Sequence, residues 1–198
     1  MIEQLLNDVV RMVKNTIYTM IFLLSCTYCG AQELVLKTNW LYWATMTPNM
    51  AFELKISKKL SLELPAGYNA WKSTTEGRSL RHYAFQPELR YWFCAPFEGH
   101  FIGVHGHYAK YNMGNIPFMP ATKEYMYKGD LWGGGVSYGF HWVLGTRWGL
   151  EATIGVGYAY INYKKYIEGD CCAEVVSKVK KHYFGPTKLA VNLIYMIR

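Results

Sequence analysis

Charged residues are scarce in this sequence, and long apolar runs are missing from most of it. Only 18% of the 198 residues are charged, whereas an ordinary soluble domain carries about 25%. Beyond Leu24 no segment keeps a 3.6-residue period, and no apolar run approaches the roughly 20 residues of a membrane-spanning helix. These features exclude a helical bundle and favour a fold made of strands.

The N-terminal segment has the pattern of an export signal. Lys14 precedes an apolar stretch at residues 17–24, and small residues at 29–31 come directly before Gln32. We therefore predict a signal peptide at residues 1–31 and one mature domain at 32–198. The acidic opening at residues 1–11 is unusual for a signal peptide. We therefore expect translation to start at Met12. The alternative is a lipobox that ends at Cys26, with lipid attached to that cysteine.

After residue 31 the sequence has too few cysteines for disulfide bonds to stabilise the whole fold. Cys94, Cys171 and Cys172 remain, and an odd number excludes a complete disulfide framework. The adjacent Cys171 and Cys172 are candidate loop thiols. They could pair through a strained ring, bind a metal or a partner thiol, or have no fixed role.

Aromatic residues and glycine are abundant, and the apolar residues recur with a period of two. The chain contains 17 Tyr, 7 Trp, 9 Phe and 18 Gly. In each segment the alternate positions are mostly small or polar, as in Met50, Phe52 and Leu54 against Ala51 and Glu53. We predict eight strands, two of them less regular, at residues 34–43, 49–56, 60–69, 82–93, 101–111, 132–142, 150–160 and 188–197.

Strand length and the two faces together indicate an all-β fold, an eight-stranded antiparallel transmembrane β-barrel. A tilted strand needs roughly 9–11 residues to cross a membrane. The apolar face of each strand would contact lipid, and the face of small or polar residues would line the barrel interior. Charges on the small-residue face are expected to pair across a narrow interior. They are Lys37, Glu53, Lys55, Glu63, Glu88, Arg90, Glu151 and Lys188.

The predicted connections and the aromatic residues fit such a barrel. The inner connections are short turns at 57–59, 94–99 and 145–147. The outer connections are one short turn at 45–48 and three long loops at 72–80, 112–125 and 164–181. Tyr and Trp favour the headgroup level of a membrane. The outer strand ends carry Trp40, Tyr42, Trp71, Tyr83, Tyr111, Tyr127, Tyr160 and Tyr163; the inner ends carry Trp92, Phe93, Phe101, Trp142, Trp148 and Tyr195.

Four segments resemble a family of Bacteroidetes outer-membrane proteins of unknown function. They are residues 34–42 (LVLKTNWLY), 114–118 (GNIPF), 150–158 (LEATIGVGY) and 183–188 (YFGPTK). The resemblance extends from about residue 33 to the end. It implies a small OmpA/OmpX-type barrel, often encoded near fimbrial or other surface-protein genes, with no established catalytic residues. Adjacent Cys171 and Cys172 depart from the spaced cysteines expected there.

Possible catalytic patterns have simpler explanations. Gly135, Ser137 and Gly139 form G-x-S-x-G, but the motif is catalytic only at a strand-to-helix turn, and here it falls within a strand. His105 and His107 share one side of a strand without a recognisable third metal ligand. We therefore predict no catalytic residues, no metal and no cofactor.

The expected function is that of a non-enzymatic, monomeric barrel in a bacterial outer membrane. The protein would be a structural or binding component of surface or fimbrial assembly, and its outer loops would carry any binding. Expected partners are membrane lipid, lipopolysaccharide and surface proteins, but not nucleic acid. Candidate binding residues are Lys164, Lys165, Lys178, Lys180 and Lys181. The alternatives are a lipid-modifying enzyme and a soluble, secreted barrel that binds a small ligand.

Overall fold

A computed structural model describes Lys14 and residues 33–72, 79–115, 125–167 and 174–197. The chain divides into two units, Met1–Gln32 and Glu33–Arg198, and the second contains every strand given below. The predicted signal peptide lies outside the described residues except for Lys14. Cys26, Cys171 and Cys172 also lie outside them.

The described chain after residue 32 is almost entirely strand. One short helix, α1, follows the first strand at Trp40–Ala44. The strands are β1 (Leu34–Asn39), β2 (Asn49–Lys55), β3 (Leu60–Lys72), β4 (Ser79–Phe85), β5 (Glu88–Trp92), β6 (Gly99–Gly114), β7 (Tyr125–Val143), β8 (Trp148–Ile167) and β9 (Glu174–Ile197).

These strands close into an antiparallel barrel. Strands that follow one another in the chain pair with each other, except β4 and β5. β1 also pairs with β9, for example Leu36 with Tyr195, which joins the two edges. β4 and β5 both lie between β3 and β6 and together occupy one strand position. The prediction of an all-β, eight-stranded antiparallel barrel is therefore confirmed.

The break between β4 and β5 occurs at Gln86 and Pro87. Proline has no backbone N–H and cannot donate to the sheet. The neighbouring strands β3 and β6 still hydrogen-bond to these two residues. The Gln86 N–H donates to Pro65 O of β3 at 3.3 Å, and the Gly106 N–H of β6 donates to Pro87 O at 3.0 Å. The predicted strand at 82–93 thus becomes two pieces that stay in line.

The predicted first strand at 34–43 is too long. β1 ends at Asn39, whose side-chain oxygen accepts a hydrogen bond from the Leu41 N–H at 3.0 Å and so caps α1. The backbone N–H of Asn39 donates to the Asn49 side chain at 2.6 Å. Trp40 and Tyr42 therefore lie on a helix rather than at a strand end, and the connection covers residues 40–48.

The barrel has one end with short turns and one with long hairpins. The short-turn end carries the turns at 56–59, 93–98 and 144–147, as predicted. At the long-hairpin end the strands extend into the predicted connections at 72–80, 112–125 and 164–181: β3, β6 and β8 end at Lys72, Gly114 and Ile167, and β4, β7 and β9 begin at Ser79, Tyr125 and Glu174. The strands run further because pairing continues through polar residues, for example Asn162 with Lys180. The apolar alternation used for prediction stops earlier.

The two faces of the barrel are inverted relative to a soluble protein. Large apolar side chains point outward and are exposed, such as Val136 at 56% and Ile154 at 57%. Polar and charged side chains point inward and are buried, such as Arg90 at 0% and Glu151 at 0%. The predicted assignment of faces is therefore correct. No helix in the described ranges is long and apolar enough to cross a membrane.

Candidate functional site

Seven ionisable side chains meet inside the barrel, and we call them the interior charge cluster. Its members are Lys37, Glu53, Glu63, Glu88, Arg90, Glu151 and Lys188, all buried. Lys55, predicted to join them, does not. It lies at the short-turn end, where its Nζ is 3.3 Å from Glu33 Oε1 and both side chains are partly exposed.

Arg90 is the centre of this cluster. Its guanidinium donates to all four carboxylates, from three nitrogens. The distances are 2.6 Å to Glu63, 2.9 Å and 3.2 Å to the two oxygens of Glu151, and 3.1 Å to both Glu53 and Glu88. The planar, five-donor fork of arginine suits such simultaneous contacts, whereas lysine could not reproduce them.

Two lysines complete the pairing from other strands. Lys37 of β1 contacts Glu53 and lies 2.5 Å from Glu151. Lys188 of β9 contacts Glu88 and lies 2.8 Å from Glu63. Neutral donors add hydrogen bonds to the carboxylates: Ser61 to Glu53, Ser137 to Glu88, and Thr153 and Asn192 to Glu151. Buried charges are tolerated when their remaining hydrogen bonds are made in this way.

An apolar cluster fills the barrel at the short-turn end. It consists of Val35, Trp92, Phe97, Phe101 and Ile194, with Met196 packed against it. The rings of Trp92 and Phe101 are 4.7 Å apart, and the Trp92 indole N–H donates to Ser61 at 2.8 Å. Trp92 and Phe101 were predicted to lie at the headgroup level at the inner strand ends, but both side chains are buried inside the barrel.

Inward glycines make room for these side chains. A Cβ at Gly103 would overlap the Glu88 carboxylate, and one at Gly139 would overlap the Phe101 ring. Ser137 lies inward between Gly135 and Gly139, in the middle of β7, with no helix after it. The G-x-S-x-G pattern is thus a packing feature of a narrow interior.

His105 and His107 also point inward. His105 Nε2 lies 2.9 Å from Thr187 Oγ1, and the His105 and His107 rings are 5.8 Å apart. Ser137 donates its hydrogen bond to Glu88. Among the described residues, no three of His, Cys, Asp and Glu are placed to hold a metal ion.

A small cavity of about 160 Å³ lies in the lumen beyond the interior charge cluster. Tyr42 of α1, Asn49, Gln86, His107 and Lys188 contribute to its wall. A volume of this size holds a few water molecules, because one probe-sized water position needs about 10–15 Å³. It is well below the roughly 300–1,000 Å³ of a typical small-molecule site.

A larger cavity of about 480 Å³ lies at the long-hairpin end. Four cations line it: Arg81 of β4, Lys110 of β6, Lys128 of β7 and Lys164 of β8. Strand alternation places all four on the outward face, since Lys110 is in phase with the outward Tyr108 and Lys128 with the outward Trp132. The cavity is therefore on the outside of the barrel wall.

The five lysines predicted from sequence are divided between two faces. Lys164, Lys178 and Lys180 lie on the outward face, whereas Lys165 and Lys181 alternate to the other. All five lie on strands rather than in a loop. Sequence reasoning missed Arg81, Lys110 and Lys128, because only the cross-strand register brings them beside Lys164.

The family of this chain is identified by its match over residues 17–197 to the family model described as "Protein of unknown function (DUF3575)". The chain belongs to this family. The DUF3575 match covers all nine strands, the interior charge cluster and the outward cations. Among curated proteins, no sequence matches the chain.

Proposed function

We propose that this DUF3575 chain is a non-enzymatic barrel of a bacterial outer membrane, with a closed lumen and a binding surface at its long-hairpin end. The observation that carries the proposal is the inversion of the barrel: exposed apolar side chains outside, paired charges inside. Lipid-exposed barrels have this distribution. A water-soluble barrel has the opposite one.

The dimensions of the apolar band support insertion. Along β7 the outward residues Trp132 and Trp142 bound a stretch that contains Val136, Tyr138 and Phe140. Ten residues of strand span roughly 33 Å, or about 25 Å along the membrane normal at a tilt of about 40°. That height matches the apolar band of outer-membrane barrels, about 25 Å, with its aromatic girdles.

The filled lumen supports a role other than transport. The apolar cluster occupies the short-turn end, and the interior charge cluster crosses the barrel next to it. Eight strands enclose an interior that side chains just fill. We infer a structural or binding role in a surface assembly, carried by the long-hairpin end.

The inward position of Ser137 disfavours the lipid-modifying alternative. Its hydroxyl donates to Glu88 inside the barrel, whereas an acyl hydrolase acting on membrane lipid needs its nucleophile at the lipid-facing surface. The lumenal cavity of about 160 Å³ gives the ligand-binding alternative little space.

The test is a comparison of unboiled and boiled protein from isolated outer membranes on an SDS gel, followed by planar-bilayer recording. The proposal expects faster migration before boiling, retention in the membrane after carbonate washing, and no conductance in the porin range. A protein released by carbonate and unchanged by boiling would refute membrane insertion. Steady porin-like conductance would refute the closed lumen.

A further inference from the structure

Basic residues on neighbouring strands align in one row across the outward face. In the strand register, Arg81 is opposite Asn112, Asn112 is opposite Lys128, Lys128 is opposite Lys164, and Lys164 is opposite Lys178. We call these five residues the basic row. Three lysines of the row are consecutive cross-strand neighbours.

The adjacent row, one step toward the middle of the barrel, adds two further cations. Lys110 is opposite Asp130, Asp130 is opposite Asn162, and Asn162 is opposite Lys180. The six cations of the two rows are all exposed. Within the described ranges none of the six forms an ion pair, and Asp130 is the one carboxylate in these rows.

This arrangement is unfavourable without an anion. Directly opposed residues have Cβ atoms about 4.5–5.5 Å apart, and like charges at that distance destabilise a sheet. Lys128, Lys164 and Lys178 form two such pairs in succession. An anion with several oxygens held between these lysines would replace their mutual repulsion with attraction to the anion, because charge-assisted hydrogen bonds are stronger than neutral ones.

The surface is concave where the cations converge. The outward cavity of about 480 Å³ has Arg81, Lys110, Lys128 and Lys164 in its wall, with the phenols of Tyr83 and Tyr166. The Lys128 ammonium lies 5.0 Å from the centre of the Tyr166 ring. This volume accommodates a phosphorylated sugar headgroup rather than a single inorganic ion.

The position of the rows along the barrel points to lipid. On β7 the outward order is Lys128, Asp130, Trp132 and then Val136, so the cations begin just beyond an aromatic row. Trp132 and Tyr160 of that row have ring centres 5.7 Å apart. Below them an apolar groove of about 590 Å³ is walled by small β-branched residues such as Val104, Val136 and Val156. The outward cations, the aromatic row and the apolar groove thus follow one another along the barrel.

We propose that this outward face binds a phosphorylated, anionic lipid of the surrounding leaflet, with its phosphates on the basic row and its acyl chains in the apolar groove. The inference rests on the proposed function, because it requires the barrel to be in a membrane. It differs from loop binding, since every residue involved lies on a strand.

The test uses the full mature barrel in neutral detergent and native mass spectrometry with bisphosphorylated lipid A. The variant is Lys128→Gln/Lys164→Gln/Lys178→Gln. The control is Lys58→Gln/Lys59→Gln/Arg147→Gln, which removes the same charge from exposed positions at the short-turn end. We expect lipid A to bind roughly tenfold or more weakly to the variant and within twofold of wild type to the control. Dephosphorylated lipid A should bind wild type as weakly as lipid A binds the variant.

Equal retention of lipid A by the variant and wild type would refute the inference. So would equal affinity of wild type for the dephosphorylated lipid, or displacement of lipid A by millimolar inorganic phosphate, which would indicate a site for the free ion. Folding is checked separately by the urea midpoint. Relief of lysine repulsion should leave the variant at least as stable as wild type, and lipid A should raise only the wild-type and control midpoints. Heat-modifiable protein without lipid selectivity would refute this inference alone and leave the proposed function intact.

Discussion

The guanidinium of Arg90 and the carboxylate of Glu151 face each other across the barrel interior as a two-point pair. Arg90 Nη1 lies 2.9 Å from Glu151 Oε2, and Arg90 Nη2 lies 3.2 Å from Glu151 Oε1. The residues belong to β5 and β8, which are not neighbours in the sheet. The pair therefore ties opposite walls of the barrel, and Arg90 carries three further carboxylates with it.

Replacing Arg90 should be among the most damaging single changes in the barrel. Arg90→Gln leaves Lys37 and Lys188 to balance four buried carboxylates, and breaking a buried ion network costs about 3–5 kcal/mol of the free energy of unfolding. We expect a large fall in the urea midpoint of the detergent-folded protein. Lys55→Gln is the control, because its partly exposed pair with Glu33 is worth about 0–1 kcal/mol. Equal midpoints for the two variants would contradict the central role of Arg90.

Removing one carboxylate should cost less than removing Arg90. The interior charge cluster holds three cations and four carboxylates, so Glu63→Gln leaves three of each. The glutamine side chain can still accept from Arg90 and Lys188, which now lie 2.6 Å and 2.8 Å from Glu63. We expect less than half of the Arg90→Gln loss in the same urea titration. A larger fall in the urea midpoint for Glu63→Gln than for Arg90→Gln would mean that the cluster requires its fourth carboxylate, and with it the net negative charge.

A methyl group should distinguish inward from outward glycines. Gly139 faces inward, where an added Cβ would overlap the Phe101 ring, whereas at Gly106 the nearest atom to the added Cβ, Gly133 O, is at 3.8 Å. Overpacking costs about 1–3 kcal/mol, so Gly139→Ala should lower the urea midpoint and the heat-modifiable fraction. Gly106→Ala should retain both. A tolerated Gly139→Ala would show that the interior is looser than the packing of Phe101 implies.

The period-two pattern was sufficient to predict the barrel and the orientation of its faces. Glu88 and Arg90 alternate with Leu89 and Tyr91, so inward and outward positions follow directly from sequence. The same phase would have placed Trp92 inside, but three consecutive aromatics at 91–93 obscured it. Phe101 is likewise in phase with the inward His105.

The remaining differences depend on information that alternation does not carry. The end of β1 is decided by the hydrogen bonds of the Asn39 side chain, which compete with strand extension. The length of the hairpins depends on pairing between polar residues, which no apolar pattern marks. The basic row requires the register between strands: Lys128 and Lys164 are 36 positions apart in sequence yet directly opposed in the sheet.

Membrane insertion predicts that adjacent positions on one strand differ sharply in access to lipid. Val136 of β7 is outward and 56% exposed, whereas Ser137 is inward and 6% exposed. With Cys94, Cys171 and Cys172 replaced by serine, single cysteines at 136 and 137 would be labelled with a fluorophore before folding into phosphatidylcholine vesicles. Lipids brominated on their acyl chains should quench the label at 136 strongly and that at 137 weakly, because quenching requires contact with the chains. The label at 137 must first be shown to allow heat-modifiable folding. Thr153→Cys against Ile154→Cys on β8 supplies a second comparison, because Thr153 is 3% exposed and Ile154 is 57% exposed. Equal quenching within each pair would mean that the apolar face does not meet lipid, and the barrel would then have to bury that face against protein instead.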